Sequence, residues 1–285
     1  MTEISASAVK ALRDRTGAGM MDCKKALQET GGDEEAAIDL LRKQGAAKAA
    51  KRSDREADEG TVQIAGEDAS LAMVEATSET DFVARNDQFV AFASRAADVA
   101  RAAGDLPEGE VRPGEELLDR PEDDPLRKEL NGLRAKIGEN LRLRRWVRWE
   151  PGDDAAVGRY IHFGSKIGVL VELGGVEDVE AAGSLARDVA MHVAAADPRG
   201  VSAEDIPEEV RDRERRVLRE QAEEEGKPPE IVEKIVEGRM RKFFEENTLL
   251  QQAYVRDPDV TVEELLRDAD PELTVRRFER FEVGG

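Results

Sequence analysis

The chain reads as an α+β protein, and three observations predict that class. A strand–strand–helix pattern occurs twice, first over Thr61–Ala102 and again over Val157–Val193. Helical periodicity fills the first fifty residues with no strand between the helices. A densely charged stretch, Glu208–Glu225, turns at Gly226-Lys227-Pro228-Pro229 and returns with Ile231, Val232, Ile235 and Val236, the pattern of a helical hairpin with a thin seam. The expected domains are therefore 1–55 as a three-helix module and linker, 56–150 as a first core subdomain, and 151–285 as a second. The hairpin, at about 203–242, is inserted in the second subdomain.

Composition narrows the function. Of 285 residues, 40% are hydrophobic and 37% charged, enough apolar material for about two domains under a charge-rich surface. The 43 Lys and Arg against 63 Asp and Glu leave a net charge of -20, which repels phosphate backbones and argues against nucleic acid as a direct partner. Cys23 is the only cysteine, so neither a disulfide framework nor a thiolate metal cluster can form, as suits the cytosol. Only His162 and His192 are available for histidine chemistry. No apolar run reaches membrane-spanning length and no hydrophobic signal region opens the chain, so a cytoplasmic protein without a membrane partner is expected. The sequence has no phosphate loop, dinucleotide fingerprint, nucleophile elbow or His-Glu-x-x-His motif. The acidic pairs Asp123-Asp124 and Asp153-Asp154 sit in Pro/Gly-rich loops and read as solvated turns. No catalytic residue, metal or cofactor is expected, and the chain reads as a binding protein.

Taken in order, Ser5 is a candidate cap for a helix carrying Val9 and Leu12 one turn apart. Gly17-Ala18-Gly19 breaks it, and Met20-Met21-Asp22 starts a second helix with Cys23, Ala26 and Leu27 on one face. Met20 and Met21 either close this miniature core or stand exposed as adaptable contacts. Gly31-Gly32 ends the second helix, and Asp33 opens a third with Ala37, Leu40 and Leu41 in register. Lys43–Asp58 lacks an apolar face and reads as a solvated helix end passing into a linker; its Lys48, Lys51, Arg52 and Arg55 form a basic island. Strands are expected at Thr61–Ile64 and Ser70–Glu75, and a helix carries Phe89, Phe92, Ala93, Ala96 and Val99. Residues 104–125 read as a mobile excursion, followed by a helix at Leu126–Ile137. A strand with a solvated face of four arginines, Arg142, Arg144, Arg145 and Arg148, comes next. The second pass pairs Val157–His162 with Lys166–Glu172 across Gly164-Ser165, then gives a helix through Ala182, Leu185, Ala186, Val189 and Val193. His192 on that helix reads as a packing histidine, and His162 stands at the end of a hairpin strand. Met240, Phe243 and Phe244 re-anchor the helical hairpin, Thr261–Arg267 forms a short helix, and Leu273–Val283 alternates as a last strand.

One turn does not fit. Ser78–Asn86 (SETDFVARN) joins strand to helix with an acid and a large aromatic, whereas turns favour small and polar residues. Phe82 could fold into its own core while Asp81 caps the next helix. Aligning the two copies argues otherwise. Val74-Glu75 matches Val171-Glu172 at an offset of 97, and Phe92-Ala93 matches Leu185-Ala186 at 93, so the first copy carries four extra residues at Thr80–Val83. Its sister folds without them.

Three segments together resemble the bacterial elongation factor Ts family, guanine-nucleotide exchange factors for elongation factor Tu. They are Arg15–Leu27 (RTGAGMMDCKKAL), Thr80–Asn86 (TDFVARN) and Gly226–Arg241 (GKPPEIVEKIVEGRMR), with Ala190–Ala196 and Arg280–Val283 also similar. The resemblance spans nearly the whole chain. It implies a ubiquitin-associated-like module of three helices, a core of two related antiparallel-sheet and helix subdomains, and an inserted helical hairpin that mediates dimers in some members. It implies that elongation factor Tu·GDP is the partner, contacted in its GTPase domain and a second domain, and that no covalent chemistry is performed. Thr80, Asp81, Phe82 and Val83 would enter the GTPase domain, dislodge its Mg²⁺ and promote GDP release. Leu12, Met20, Met21 and His162 carry over as docking contacts. Some members continue past the Phe-Glu-Val strand with a further helix, and here the sequence given stops two residues beyond Val283. The rival reading, an adaptor using residues 1–45 alone, leaves the insertion unexplained. A carboxylate-pair enzyme is disfavoured because no pair sits near a histidine.

Overall fold

The computed structural model describes residues 4–50, 52–67, 69–105, 107–119 and 125–285. They form two compact units, one of residues 1–150, 163–167 and 281–285, the other of residues 151–162 and 168–280. The protein is mixed α and β with antiparallel sheets.

The first unit opens with α1 (Ala6–Thr16), α2 (Met20–Glu29) and α3 (Glu34–Ala50). Ser5 caps α1 through Ala8 N–H, and Gly17 ends it in the left-handed region at φ 68°, where a side chain would be strained. Val9, Leu12, Cys23, Ala26, Leu27, Ala37 and Leu41 make a small core of their own. The end of α3 corrects the solvated-linker expectation. The helix continues to Ala50 and meets a neighbour at Gly45, where a Cβ would stand 3.2 Å from Ala135 Cβ. Within the basic island, Lys51 and the side chain of Lys48 lie outside the described residues, and Arg55 pairs with Glu79.

The rest of the unit comprises β1 (Glu59–Glu67), β2 (Ser70–Ser78), α4 (Asp81–Ala84), α5 (Asp87–Ala102), β3 (Arg112–Pro113), α6 (Gly114–Leu118), α7 (Pro125–Ile137) and β4 (Arg142–Trp149). The sheet order is β1-β2-β4-β3. Apolar residues on one face of the sheet, among them Ala65, Val74, Ala76 and Trp146, pack on Phe89, Phe92, Ala93 and Ala96 of α5 and on Leu130 of α7. This is the amphipathic match that period 2 against period 3.6 predicts.

Two expectations fail here. Residues 107–119 are not an excursion: Arg112 pairs in register with Trp146, and Leu117 is wholly buried in the core. The pair Asp123-Asp124 lies outside the described residues. The β4 arginines are not a uniformly solvated face. Arg148 is 3% exposed, and its Nε donates to Arg101 O. Arg144 and Arg145 converge on Glu75, which is wholly buried in β2. Alternation correctly predicted a strand but could not reveal that its wet-looking face meets a buried acid.

The second unit contains β5 (Ala155–Ile161), β6 (Ile167–Gly174) but for its first residue, α8 (Val179–Ala196), α9 (Glu208–Glu224), α10 (Pro229–Asn247), β7 (Ala253–Tyr254), β8 (Asp257–Thr261), α11 (Val262–Ala269) and β9 (Thr274–Glu282) as far as Arg280. The main sheet order is β5-β6-β9, and α8 lies against β5 so closely that a Cβ on Gly158 would stand 2.0 Å from Ala186 O. The hairpin α9–α10 runs further than expected, to Asn247. It closes on Ala222, Val232, Val236 and Met240, with Phe243 and Phe244 partly buried beside them. His192 is buried: its Nδ1 accepts from Val255 N–H at 3.2 Å, and its Nε2 lies 3.0 Å from Gln252 Oε1.

Candidate functional site

The Thr80–Val83 turn leaves the first sheet at Ser78. Thr80 caps α4, its Oγ1 accepting from Val83 N–H at 3.4 Å from an extended backbone. Val83 packs on the main core and Ala84 is buried, so the back of the turn is anchored. Phe82, just before them, is 84% exposed. It does not fold into its own core.

Asp81 is not a helix cap, contrary to one expectation. It is the first residue of α4, with its carboxylate 3.3 Å from Arg85 Nη2. The cap of α5 is Asn86, whose Oδ1 accepts from Gln88 N–H at 3.0 Å. Residues 79–86, eight in all, separate β2 from α5, whereas only 175–178, four in all, separate β6 from α8. The difference of four is the length of Thr80–Val83.

The turn is tied down from behind by a distant carboxylate. Glu139 Oε2 accepts from the backbone N–H groups of Glu79 and Thr80, both at 3.1 Å, and its Oε1 accepts from Thr80 Oγ1 at 2.7 Å. Glu79 returns the contact, its Oε1 accepting from Asn140 N–H at 2.7 Å. Neither Glu79 nor Glu139 was singled out from sequence, because 60 residues separate them.

Met20 and Met21, at the start of α2, are 55% and 64% exposed. They do not close the miniature core. Leu12 does: it is wholly buried among Val9, Cys23, Ala26 and Leu27. His162, in the second unit, is exposed and lies 3.0 Å from Tyr160 Oη through Nδ1. Sequence reasoning missed Phe163, which is 96% exposed and belongs with the first unit. An aromatic in a turn was the signal that singled out Phe82, and it applies equally to Phe163 beside Gly164-Ser165.

An open cleft of about 600 Å³ in the first unit, between α1, α5 and α7, is lined by polar side chains that partner locally, Arg95 in an ion pair with Glu129 and Lys136 Nζ donating to Gln88 Oε1. Among the described residues no group of three or more His, Cys, Asp or Glu could hold a metal ion, and no helix is long and apolar enough to cross a membrane.

A family model described as Elongation factor TS matches residues 79–285. The chain belongs to the elongation factor Ts family. The match begins at Glu79, on the turn itself. Among curated relatives, an elongation factor Ts from Alkalilimnicola ehrlichii is 50% identical, with 99% of this chain and 92% of that protein covered. Those from Hydrogenovibrio crunogenus and Thioalkalivibrio sulfidiphilus are each 47% identical over the same shares. As an elongation factor Ts family member, the protein is a translation elongation factor.

Proposed function

We propose that the protein binds elongation factor Tu·GDP and promotes GDP release, so that GTP can bind, by pressing the Thr80–Val83 turn into the partner's Mg²⁺ and phosphate site. The observation that carries this reading is a large aromatic, 84% exposed, at the tip of a turn anchored on both sides. A solvent-facing Phe in a fixed backbone contributes little to its own fold and much to a surface that covers it.

The action is one of linkage rather than covalent chemistry. GTPase affinity for GDP depends on a phosphate-cradling loop and on Mg²⁺ held against the phosphates. A wedge that favours the disrupted arrangement weakens nucleotide binding, and nucleotide weakens exchange-factor binding by the same factor. Each tenfold of weakening corresponds to about 1.4 kcal/mol of differential contact. One buried aromatic supplies roughly 1.5–3 kcal/mol, so docking surfaces supply the rest of a large acceleration. In this reading Asp81 and Phe82 intrude, while Met20, Met21 and His162 dock, the methionines on a ubiquitin-associated-like module of residues 1–55. Such a factor works in the cytoplasm, without direct contact to nucleic acid. The α9–α10 hairpin is the proposed surface for a homodimer.

The test is release of a fluorescent GDP analogue from elongation factor Tu with excess protein. Wild type accelerates release. Phe82→Ala loses most of the acceleration while its melting temperature stays near wild type, since an exposed substitution changes stability by within about 0.5 kcal/mol. Equal release with both proteins overturns the role of Phe82, and no acceleration by wild type overturns the function.

A further inference from the structure

An exposed aromatic on a free loop collapses onto nearby apolar surface, because that removes it from water. Phe82 stays out, so the backbone beneath it is held. The short α4 offers little rigidity of its own, having only four residues. The restraint comes from a side chain about 60 residues further along the chain. Resting on the exchange reading above, we propose that Glu139 is a positioning residue for nucleotide release, its carboxylate holding the Thr80 turn so that Phe82 is presented already in its working pose.

The geometry of the clamp supports that role. One carboxylate accepts three hydrogen bonds from two consecutive residues of the turn, Glu79 N–H, Thr80 N–H and Thr80 Oγ1. Bonds to an ionised acceptor are shorter and stronger than neutral ones, and a bidentate set fixes orientation as well as distance. The Thr80 hydroxyl works in both directions, donating to Glu139 and accepting from Val83 N–H, so the clamp sets where α4 begins. Glu139 is itself fixed. Gly138 ends α7 at φ 85°, and Asn140, 6% exposed, donates through Nδ2 to Arg55 O at 2.8 Å and to Ser53 O at 3.3 Å. Arg55 in turn meets Glu79. The residues before β1, the α7–β4 junction and the turn thus form one network.

Among the described residues the sister connection has no such carboxylate clamp. Between β6 and α8 the chain is capped locally, Asp178 Oδ1 accepting from Glu180 and Ala181 N–H at 3.1 Å. The long-range clamp accompanies the four extra residues rather than the shared scaffold. Pre-organisation of this kind acts by removing the ordering cost from the binding step.

The experiment is a double-mutant cycle between Glu139→Ala and Phe82→Ala, read by stimulated release of a fluorescent GDP analogue, with amide hydrogen exchange on the free protein. Glu139→Ala is expected to lower stimulated release about tenfold, the size of losing charge-assisted bonds, and to change it less than about twofold when Phe82 is already Ala. Exchange at the Glu79 and Thr80 amides rises, while the β2 and α5 amides stay protected. Equal effects of Glu139→Ala in both backgrounds, or Glu79 and Thr80 amides that stay protected in the variant, overturn the proposal. Should Glu139→Ala unfold, Glu139→Gln decides in the same cycle: its amide has one accepting oxygen in place of two, so release falls with Phe82 present and changes little with Phe82→Ala, and release indistinguishable from wild type overturns the clamp. Wild type that accelerates nothing refutes the exchange reading and with it the catalytic use of Glu139. The amide exchange then still reports separately on whether the clamp restrains the turn.

Discussion

Glu75 of β2 and Glu172 of β6 hold the same place in the two sheets, each buried and each gripped by two consecutive arginines of the neighbouring strand. Arg145 Nε donates to Glu75 at 2.6 Å and Arg144 Nη1 at 3.0 Å. Arg277 Nε donates to Glu172 at 2.7 Å and Arg276 Nη1 at 3.5 Å. The repeat therefore extends past strand–strand–helix to a third strand carrying an Arg-Arg pair. A buried carboxylate stripped of a partner is costly, about 3–5 kcal/mol when a buried pair is broken. Arg145→Ala is expected near the lower end of that range, because Arg144 remains. Arg144→Ala with Arg145→Ala goes further, and adding Glu75→Gln recovers part of the loss. Urea denaturation measures all three.

The N-terminal helices separate support from surface. Leu12→Ala opens a cavity in a small core and is expected to destabilise that module by about 2–5 kcal/mol. Hydrogen exchange would show the loss confined to α1–α3. Met20→Ser with Met21→Ser should leave those amides protected and weaken binding to elongation factor Tu, measured by calorimetry. If the methionine variants bind normally, the module's exposed face is not a docking surface.

His192 makes stability depend on pH. Burial holds its imidazole below the ordinary value, outweighing the opposing effect of the bond to Gln252. The neutral ring suits its partners, since Nδ1 accepts from Val255 N–H and Nε2 is left to donate to Gln252. In the unfolded chain a histidine takes up a proton near pH 6.5, while the folded protein resists it. The stability it contributes is therefore complete above about pH 6.5 and is lost as pH falls through the lower folded value, at no more than about 1.4 kcal/mol per pH unit. Melts between about pH 8 and pH 5.5 should show this loss in wild type and in His162→Gln, and less of it in His192→Gln.

Gly158 sets the approach of α8 to β5. A Cβ there would meet Ala186 O at 2.0 Å and Arg187 N at 2.5 Å, backbone atoms that cannot swing aside. Gly158→Ala should cost about 1–3 kcal/mol or more through overpacking, seen as a lowered melting temperature. An unchanged melt would mean that α8 can lift from the sheet freely.

What could be read from the chain alone was whatever local periodicity carries. The faces of α5 and α8, the β5–β6 hairpin and the surplus at Thr80–Val83 all express themselves within a few residues or in the comparison of two copies. What could not be read depends on distant partners. The β4 arginines look solvated until Glu75 is known to lie beneath them, and residues 112–118 look loose until Leu117 is seen in the core. Nothing near Thr80 announces Glu139. Resemblance marks the region of Leu12, Met20 and Met21 as a contact without saying which of its residues face outward, and only the two methionines are exposed.

The exposure of Phe82 has a consequence beyond binding. Cells remove defective chains largely by sensing instability, and abundance falls when the folded state is weakened. A chain altered at Phe82 would keep its core, its melting point and its abundance. If Phe82 acts as proposed, the resulting defect would be invisible to chaperones and proteases alike, leaving a full complement of well-folded protein with little exchange activity.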